Sequence, residues 1–187
     1  MVERKKNIRK DIAARKSKYS KEQLEEMSYS IIKNLMELDV YKKANVVLLY
    51  YSMPDEVNTK GLISNAHVSK KIILPVVTKA GLVLKEYISE ESLGVSKYGI
   101  KEPVGNIYLG NDDIDLVVVP GIAFDRSLNR MGRGMGYYDG LLPKINAPKV
   151  AICFDFQLID EVPTDERDIK MDMVVSESGI IEKESPF

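Results

Sequence analysis

The spacing of polar and apolar positions predicts two consecutive helices at the start of the chain. In residues 4–17, apolar positions interrupt a run of charged ones, which predicts a weakly amphipathic helix. Ser20 precedes Gln23 by three residues, the pattern of a capping box at a helix N-terminus. The sequence therefore predicts a second helix over about 21–38. Its apolar residues at helical spacing are Leu24, Met27, Ile31, Leu35 and Leu38.

Short apolar runs further along the chain predict strands that are buried on both faces. These runs occupy residues 46–51, 71–77, 114–120, 150–154 and 173–176. Residues 82–87 follow a turn and are predicted to pair with 71–77 as a hairpin. A short helix is expected from Asn58 or Thr59 to His67, and a loop over 90–112.

The alternation of strands and helices predicts the fold class. Nearly all-apolar strands separated by helical segments indicate an α/β layered domain. Its central sheet is expected to be largely parallel and flanked by helices, with one antiparallel hairpin. The chain, 187 residues long, is predicted to form a single domain over 1–187, with residues 1–18 as a basic helical arm. Ligands bind such sheets at the carboxyl ends of strands, so we expect the site in the polar loops after residues 51, 120 and 154.

A glycine-rich segment after the apolar run at 114–120 carries the clearest chemical signal. Residues 130–139 read RMGRGMGYYD, with glycine at every second position from Gly132 to Gly136. Glycine permits positive φ, and successive N–H groups can then form an anion-binding nest. The arginines Arg126, Arg130 and Arg133 surround the glycines, and a helix predicted to start at Tyr137 adds its N-terminal dipole. The segment therefore predicts a loop that binds phosphate groups.

Two familiar nucleotide-binding patterns are absent from the sequence. There is no G-x-x-x-x-G-K-[ST] segment, which argues against a P-loop NTPase. The G-x-G-x-G spacing also differs from the G-x-G-x-x-G of dinucleotide-binding folds. A glycine-rich loop alone is more often a mobile surface loop, but the three arginines and the following Tyr-Tyr-Asp favour phosphate binding.

Composition and charge limit which classes of function and which cellular compartments are expected. The net charge is −1, which argues against general attraction to nucleic acid, yet residues 1–18 hold eight basic and two acidic residues. That arm is either a solvated helix surface or a segment that meets an anion. The single cysteine, Cys153, excludes an internal disulfide and fits a reducing compartment. No apolar run is long enough to span a membrane and no secretory signal is evident, so we expect a cytoplasmic protein.

Five segments together resemble the 5-formyltetrahydrofolate cyclo-ligase family, also called methenyltetrahydrofolate synthetase, over nearly the whole chain. They are KKNIR at 5–9, YSMPDE at 51–56, PGIAFD at 120–125, RMGRGMGYYD at 130–139 and VPTDERD at 162–168. The glycine loop followed by Tyr-Tyr-Asp is the most specific of these. The N-terminal segment alone is a weak signal.

The resemblance implies a ligase that uses ATP and Mg²⁺. Such an enzyme closes 5-formyltetrahydrofolate to 5,10-methenyltetrahydrofolate and releases ADP and phosphate. ATP phosphorylates the formyl oxygen, and the folate N10 then attacks the activated carbon. The expected partners are these two small molecules, without nucleic acid or a membrane. Since no long apolar stripe is left unassigned, a monomer is expected.

The resemblance also implies roles for individual residues. The expected ATP contacts are Lys5, Lys6, Asn7, Ile8, Arg9, Arg130, Met131, Gly132, Arg133, Gly134, Met135, Gly136, Tyr137 and Tyr138. The expected folate contacts are Tyr51, Glu56, Arg133, Gly134, Met135, Gly136 and Tyr137. Arg133 and Tyr137 are expected to be catalytic. Asp139 and Asp168 are expected to bind Mg²⁺, which prefers hard oxygen ligands.

Three positions depart from the family pattern, and other functions remain open. Leu128 stands where glycine is common, Met131 replaces a leucine, and Arg167 stands where histidine is usual. One alternative is a non-catalytic ATP- or folate-binding protein of the same fold. A second is a nucleic-acid-binding protein that uses the basic arm, and a third is a sugar-phosphate isomerase of related fold.

Overall fold

The computed structural model describes residues 1–96, 99 and 101–183. Within these ranges the helices are α1 Val2–Lys16, α2 Lys21–Glu37, α3 Asp39–Lys43, α4 Lys60–Ala66 and α5 Tyr137–Leu141. The strands are β1 Val46–Leu48, β2 Lys71–Thr78, β3 Gly81–Tyr87, β4 Leu93–Val95, β5 Lys101–Pro103, β6 Leu116–Val119, β7 Ala123–Phe124, β8 Arg130–Met131, β9 Lys149–Ile152, β10 Met173–Ser176 and β11 Gly179–Glu182.

Seven of these described strands form one sheet in the order β11-β10-β9-β6-β1-β2-β3. The five inner strands, from β10 to β2, are all parallel to their neighbours. Antiparallel strands close both edges, β3 beside β2 and β11 beside β10. The predicted α/β class with a largely parallel sheet and a hairpin at 71–87 is confirmed.

Apolar clusters cover both faces of the sheet, because successive strand residues point to opposite sides. In β1, Val47 packs into the cluster that includes α2, α3 and α4. Its neighbour Leu48 packs into the other cluster, with Leu141 and Leu142 at the end of α5. The helices therefore flank the sheet on two sides, and the carboxyl ends of its strands are left between these layers.

The start of α2 follows the predicted capping box. The Ser20 hydroxyl accepts a hydrogen bond from the Gln23 N–H at 3.2 Å, and the Gln23 side-chain oxygen accepts one from the Ser20 N–H at 2.8 Å. Two N–H groups that the helix cannot satisfy are thereby paired. The predicted helix over 21–38 is confirmed, and it ends one residue earlier.

The structure contains elements that the sequence did not predict. The predicted loop over 90–112 includes the two-stranded sheet β4-β5 and two short 3₁₀ turns, while residues 97, 98 and 100 lie outside the described residues. The edge strand β11, the ribbon β7-β8 and the short helix α3 were also missed. These elements have five residues or fewer, so hydrophobic periodicity cannot reveal them, and tertiary pairing decides their conformation. Among the described residues, no helix is both long and apolar enough to cross a membrane.

Candidate functional site

Three loops meet at the carboxyl ends of neighbouring parallel strands. They follow β1, β6 and β9, and β6 lies between the other two in the sheet. The N-terminal helix α1 packs across the same edge through Ile12, which is buried with Ala123, Met131 and Val162. The loops after residues 51, 120 and 154 therefore meet, as expected from the strand order.

One face of α1 carries the side chains that reach this edge. Lys5, Arg9, Ile12 and Lys16 follow one another at helical spacing, so they share a face. Lys5 Nζ lies 2.9 Å from Asp168 Oδ2 and 3.8 Å from Asp165 Oδ2. The arm is thus anchored by the apolar packing around Ile12 and by ion pairs to the loop after β9.

Arg9 binds the backbone of the glycine loop. Its Nε and Nη2 atoms donate hydrogen bonds to the Gly132 carbonyl oxygen at 3.2 and 3.0 Å. A Cβ atom at Gly134 would lie 3.1 Å from Arg9 Nη2, and the φ angle of Gly134 is +100°. The backbone conformation therefore favours glycine at 134, and a larger residue would also displace the Arg9 side chain.

Helix α5 follows the glycine loop but is only five residues long. Gly136, in the left-handed region at φ 68°, is its N-cap residue. A single turn adds only a small dipole. The expected contribution of this helix to anion binding is therefore limited to the first N–H groups after Gly136.

Arg130 forms the base of the loop. It is 6% exposed, its Nη2 donates to Asp139 Oδ1 at 2.9 Å, and its Nη1 donates to the Pro120 carbonyl at 3.2 Å. Its guanidinium also lies 5.5 Å from the Tyr138 ring centroid. A Cβ atom at Gly132 would lie 2.9 Å from Arg130 Nη1, so this glycine makes room for the buried arginine. These contacts join the loop to the end of β6 and to α5.

Arg133 connects the glycine loop to the loop after β1. Its Nη2 donates to Asp55 Oδ1 at 2.6 Å and to Glu56 Oε1 at 3.2 Å. Burial raises the pKa of the Glu56 carboxyl, and the Met53 N–H and Arg133 only partly counter this effect. Burial acts in the same direction on Asp55, but the hydrogen bond and charge of Arg133, together with the charge of Lys16 and a backbone hydrogen bond, outweigh it and lower the pKa of Asp55. Two adjacent acids thus differ in how readily they ionise.

Tyr51 lies on the side of the site that faces the β4-β5 sheet. Its hydroxyl donates to Glu90 Oε1 at 3.1 Å, and Glu90 also pairs with Lys101. The Lys60 ammonium lies 5.3 Å from the Tyr51 ring centroid. Tyr51 and Glu56 therefore both lie in the loop after β1 but contact different residues.

Several predicted site residues do not present a side chain to the shared edge. Lys6 is exposed and pairs with Glu3 at 4.0 Å, Ile8 packs into the apolar cluster around Ile12, and Met131 is 2% exposed. Arg126, expected beside the glycines, is instead an exposed residue that borders a cavity of about 510 Å³ with β11. The hairpin turn after β7 carries it towards the edge strand, which corrects the prediction for this residue.

Three residues that the sequence analysis missed belong to this region. Asp55 pairs with Arg133 of the glycine loop, and Lys16 Nζ lies 3.9 Å from the Asp55 carboxylate. Asp125 is 2% exposed and accepts hydrogen bonds from the N–H groups of Ser127, Asn129 and Val162. Asp125 ties the β7-β8 ribbon to the loop that carries Asp168. The i, i+4, i+7, i+11 stripe of α1 was a signal for Lys16, whereas nothing local distinguished Asp55 from other loop acids.

The expected magnesium ligands occupy separate positions around the loop. Asp168 uses Oδ2 to accept from Lys5 and from the Asp165 N–H, and Asp139 uses Oδ1 to accept from Arg130. The described part of the chain holds no group of three or more His, Cys, Asp or Glu side chains placed to bind a metal. Two carboxylates with phosphate oxygens and water are still a typical Mg²⁺ environment.

The fold and the site define an α/β protein with a glycine-rich loop at the carboxyl edge of a parallel sheet. The model of the 5-formyltetrahydrofolate cyclo-ligase family matches residues 1–177, and the chain belongs to that family. It is therefore an enzyme of the ligase class.

Individual relatives agree with this assignment. A Schizosaccharomyces pombe protein named "Probable 5-formyltetrahydrofolate cyclo-ligase" is 35% identical over 178 residues, covering 84% of this chain and 87% of its own. The NMR structure of Aquifex aeolicus 5,10-methenyltetrahydrofolate synthetase has a TM-score of 0.87 at 34% identity, covering 98% of this chain and 94% of that one. A synthetase from Mycoplasma pneumoniae shares the fold, with a TM-score of 0.73 at 21% identity and coverage of 92% and 98%.

Proposed function

We propose that the protein is an ATP- and Mg²⁺-dependent 5-formyltetrahydrofolate cyclo-ligase. It closes 5-formyltetrahydrofolate to 5,10-methenyltetrahydrofolate and releases ADP and phosphate. One observation carries the proposal beyond family membership. Arg133 of the glycine loop reaches Glu56 in the loop after β1, at 3.2 Å, so the anion-binding half and the proposed folate half of the site are adjacent.

The chemistry explains why the enzyme needs both halves. A formyl amide is a poor electrophile, and its oxygen is a poor leaving group. Transfer of the γ-phosphoryl group from ATP to the formyl oxygen forms an imidate phosphate and ADP. The N10 lone pair then attacks the formyl carbon, N10 releases its proton to solvent, the carbon–oxygen bond breaks, and phosphate leaves. The protein must align the two substrates and offset the phosphate charge.

The ATP half of the site consists of the arm and the glycine loop. Arg9 contacts the glycine loop, and Lys5 lies one turn earlier on the same face of α1. The N–H groups around Gly132, Gly134 and Gly136 would bind phosphate oxygens. Lys5 and Arg9 are held by Asp168 and by the Gly132 carbonyl, respectively. On ATP binding we expect these cations to exchange such protein oxygens for phosphate oxygens.

Asp139 and Asp168 would hold Mg²⁺ in this proposal. Both offer the hard oxygen ligands that the ion prefers, and their contacts with Arg130 and Lys5 each use one carboxylate oxygen. When bound, the ion supplies positive charge next to the phosphate oxygens. Arg130 orients Asp139, and Lys5 keeps Asp168 close to the arm.

Tyr51 and Glu56 would form the folate half. Glu56 is largely buried and accepts the Met53 N–H at 2.9 Å through Oε2, while Oε1 faces Arg133. A buried carboxyl can hydrogen-bond the N–H edge of a pterin, and the Tyr51 ring offers an apolar surface beside it. Arg133, which reaches Glu56, and Tyr137, the first residue of α5, are the proposed catalytic residues.

Turnover of the purified protein tests the proposal directly. Incubated with Mg-ATP and 5-formyltetrahydrofolate, the protein should produce the methenyl-folate chromophore and ADP in equal amounts. Arg133→Ala and Asp139→Ala should each lose most activity while remaining folded by circular dichroism. Arg126→Ala is the matched control, since this exposed arginine lies beside β11, and it should turn over as the parent does.

The results separate the proposal from its main alternative. Binding of ATP and the folate without ADP release would indicate a non-catalytic binding protein of the same fold. Full activity of Arg133→Ala would contradict the assignment of the loop. The proposal also includes a monomer acting in the cytoplasm, and sedimentation at working concentration should give a mass near 21.1 kDa.

A further inference from the structure

The backbone of the glycine loop does not by itself fix the side chain of Arg133. Gly132 and Gly134 flank it, and Gly134 has a φ angle of +100°. The Arg133 side chain is 40% exposed, so packing restrains it only partly. Its direction therefore depends on the carboxylates that accept its hydrogen bonds.

Asp55 provides the shorter of these contacts, and it is the acid that also meets α1. Asp55 Oδ1 accepts from Arg133 Nη2 at 2.6 Å, whereas Glu56 Oε1 accepts at 3.2 Å. The second oxygen of Asp55 lies 3.9 Å from Lys16 Nζ at the end of α1. A single carboxylate thus joins the loop after β1, the glycine loop and the arm.

We propose that Asp55 is a positioning residue that holds Arg133 in place and leaves Glu56 available to the folate. The inference rests on the proposed function, in which Arg133 and Glu56 contact the substrates. Asp55 itself need not touch either substrate. Without the charge of Asp55, Arg133 has one remaining carboxylate partner, Glu56, and the two would form a pair that competes with the folate for the Glu56 oxygens.

The electrostatics of the two acids agree with this division of roles. Arg133 lowers the pKa of Asp55 against the opposing effect of burial, so Asp55 stays ionised and continues to accept the hydrogen bond from the guanidinium. Burial raises the pKa of Glu56, so its charge is the more costly of the two to maintain. Asp55 is therefore the better permanent partner for Arg133.

A double-mutant cycle distinguishes positioning from a purely structural role. The variants are Asp55→Asn, Asp55→Glu, Arg133→Met and the combination Asp55→Asn with Arg133→Met. In the parent background, Asp55→Asn should lower kcat about tenfold and raise the KM for 5-formyltetrahydrofolate several-fold, with the KM for ATP within about twofold. Asp55→Glu should recover part of the loss, since it restores the charge. Asp112→Asn, at an exposed position in the 3₁₀ turn before β6, is the matched control and should not change turnover.

The Arg133→Met background gives the decisive comparison. If Asp55 acts through Arg133, Asp55→Asn should have little further effect there, whether the cycle is measured by turnover or by calorimetric affinity for 5-formyltetrahydrofolate. An equal loss in both backgrounds, or no loss in the parent, would overturn the inference. A structural role alone would lower the melting temperature and leave the effects of the two substitutions additive.

A readout without turnover keeps this inference separate from the proposed function. The Arg133 side-chain N–H signals in ¹H–¹⁵N NMR spectra report whether its guanidinium is held. In Asp55→Asn these protons should exchange faster with solvent than in the parent, and in Asp112→Asn they should not. Unchanged exchange would refute the positioning role even in an active enzyme. Faster exchange in a protein without cyclo-ligase activity would support it while contradicting the proposed function.

Discussion

Leu128 combines a left-handed backbone with a buried side chain. Its φ angle is +65°, yet the residue is only 5% exposed and packs in the cluster with Phe124 and Leu141. A non-glycine residue in this region costs about 1–2 kcal/mol. Glycine adopts this conformation without that cost. Here the burial of leucine offsets the backbone strain.

Replacement of Leu128 should reveal both contributions. Leu128→Ala loses the buried side chain but keeps the strain, and should destabilise the protein by about 2–5 kcal/mol. Leu128→Gly loses one further methyl group but relieves the strain, so its free energy of unfolding should lie within about 0.5 kcal/mol of the alanine variant. Urea unfolding of both variants gives these values.

Leu142 supplies the control for this comparison. It is fully buried and has a helical φ of −58°, so glycine brings no relief of strain there. Leu142→Gly should therefore be less stable than Leu142→Ala by about 1 kcal/mol or more. If the alanine and glycine variants differ in free energy of unfolding by the same amount at position 128 as at position 142, the explanation given for Leu128 is wrong.

Glu56 should make stability depend on pH in a defined direction. Burial raises the pKa of Glu56 in the folded protein above its ordinary value of 4.5. As the pH rises past 4.5, the unfolded chain loses this proton first, so unfolding becomes more favourable until the folded pKa is passed. The stability of the parent relative to Glu56→Gln should therefore fall as the pH rises above about 4.5, until the folded pKa is passed, as measured by urea unfolding.

Glu91 should show the opposite slope. A hydrogen bond with Ser89 lowers the pKa of Glu91, so this carboxylate contributes stability above its ordinary pKa and loses that contribution as the pH falls. The stability of the parent relative to Glu91→Gln should rise as the pH increases to about the ordinary pKa of 4.5 and should then level off. If stability relative to the Gln variant changes with pH in the same direction for both glutamates, burial does not govern the titration of Glu56.

The glycine loop and helix α5 contain glycines with different requirements. Gly134 has φ +100° and lies close to Arg9, whereas a Cβ atom at Gly140, within α5, would meet open space. Gly134→Ala should destabilise the protein by about 1–2 kcal/mol and weaken ATP binding about tenfold, because the loop must shift away from Arg9. Gly140→Ala should be neutral or stabilise by up to about 1 kcal/mol. Calorimetric titration with ATP and urea unfolding measure both effects, and similar losses at both positions would contradict this account of the loop.

The elements show how far sequence reasoning extends in this protein. The helix α2 and the strands around Val47 and Val117 were predicted because their apolar patterns are long or continuous. The glycine loop was recognised from its composition. The ribbon β7-β8 and the strand β11 were missed because pairing with other segments, rather than local pattern, determines them.

The candidate site could be predicted from the sequence about as far as the helices and strands could. The loops that meet at the sheet edge follow from strand order, and the basic arm was identified from its charge. The partners of each side chain were not predictable. The sequence does not show that Arg133 reaches Asp55, 78 residues away along the chain, or that Arg126 turns towards β11. Which partner each of these side chains contacts depends on three-dimensional packing.

At the scale of the whole molecule, the arm α1 is the part of the site that is held most weakly. Ile12 is its one buried residue and packs with Ile8, and its other contacts with the body are made by polar side chains. These side chains are Arg4, Lys5, Arg9, Arg15 and Lys16. Partly exposed ion pairs contribute about 0–1 kcal/mol each and weaken with salt. The strands β6 and β9, by contrast, are buried in the centre of the sheet.

Hydrogen exchange should therefore show α1 opening as a separate unit. Its amides should exchange faster than those of β6 and β9, and faster still in about 0.5 M salt or in Ile12→Ala. If Lys5 and Arg9 bind ATP phosphates, saturating Mg-ATP should slow exchange in α1 and leave the central strands unchanged. Met36→Ala, on the exposed side of α2, is the control and should not alter exchange in α1. Protection of α1 equal to that of β6 without ATP would mean that the arm is an integral part of the core, and its cations would then be fixed in place before the nucleotide binds.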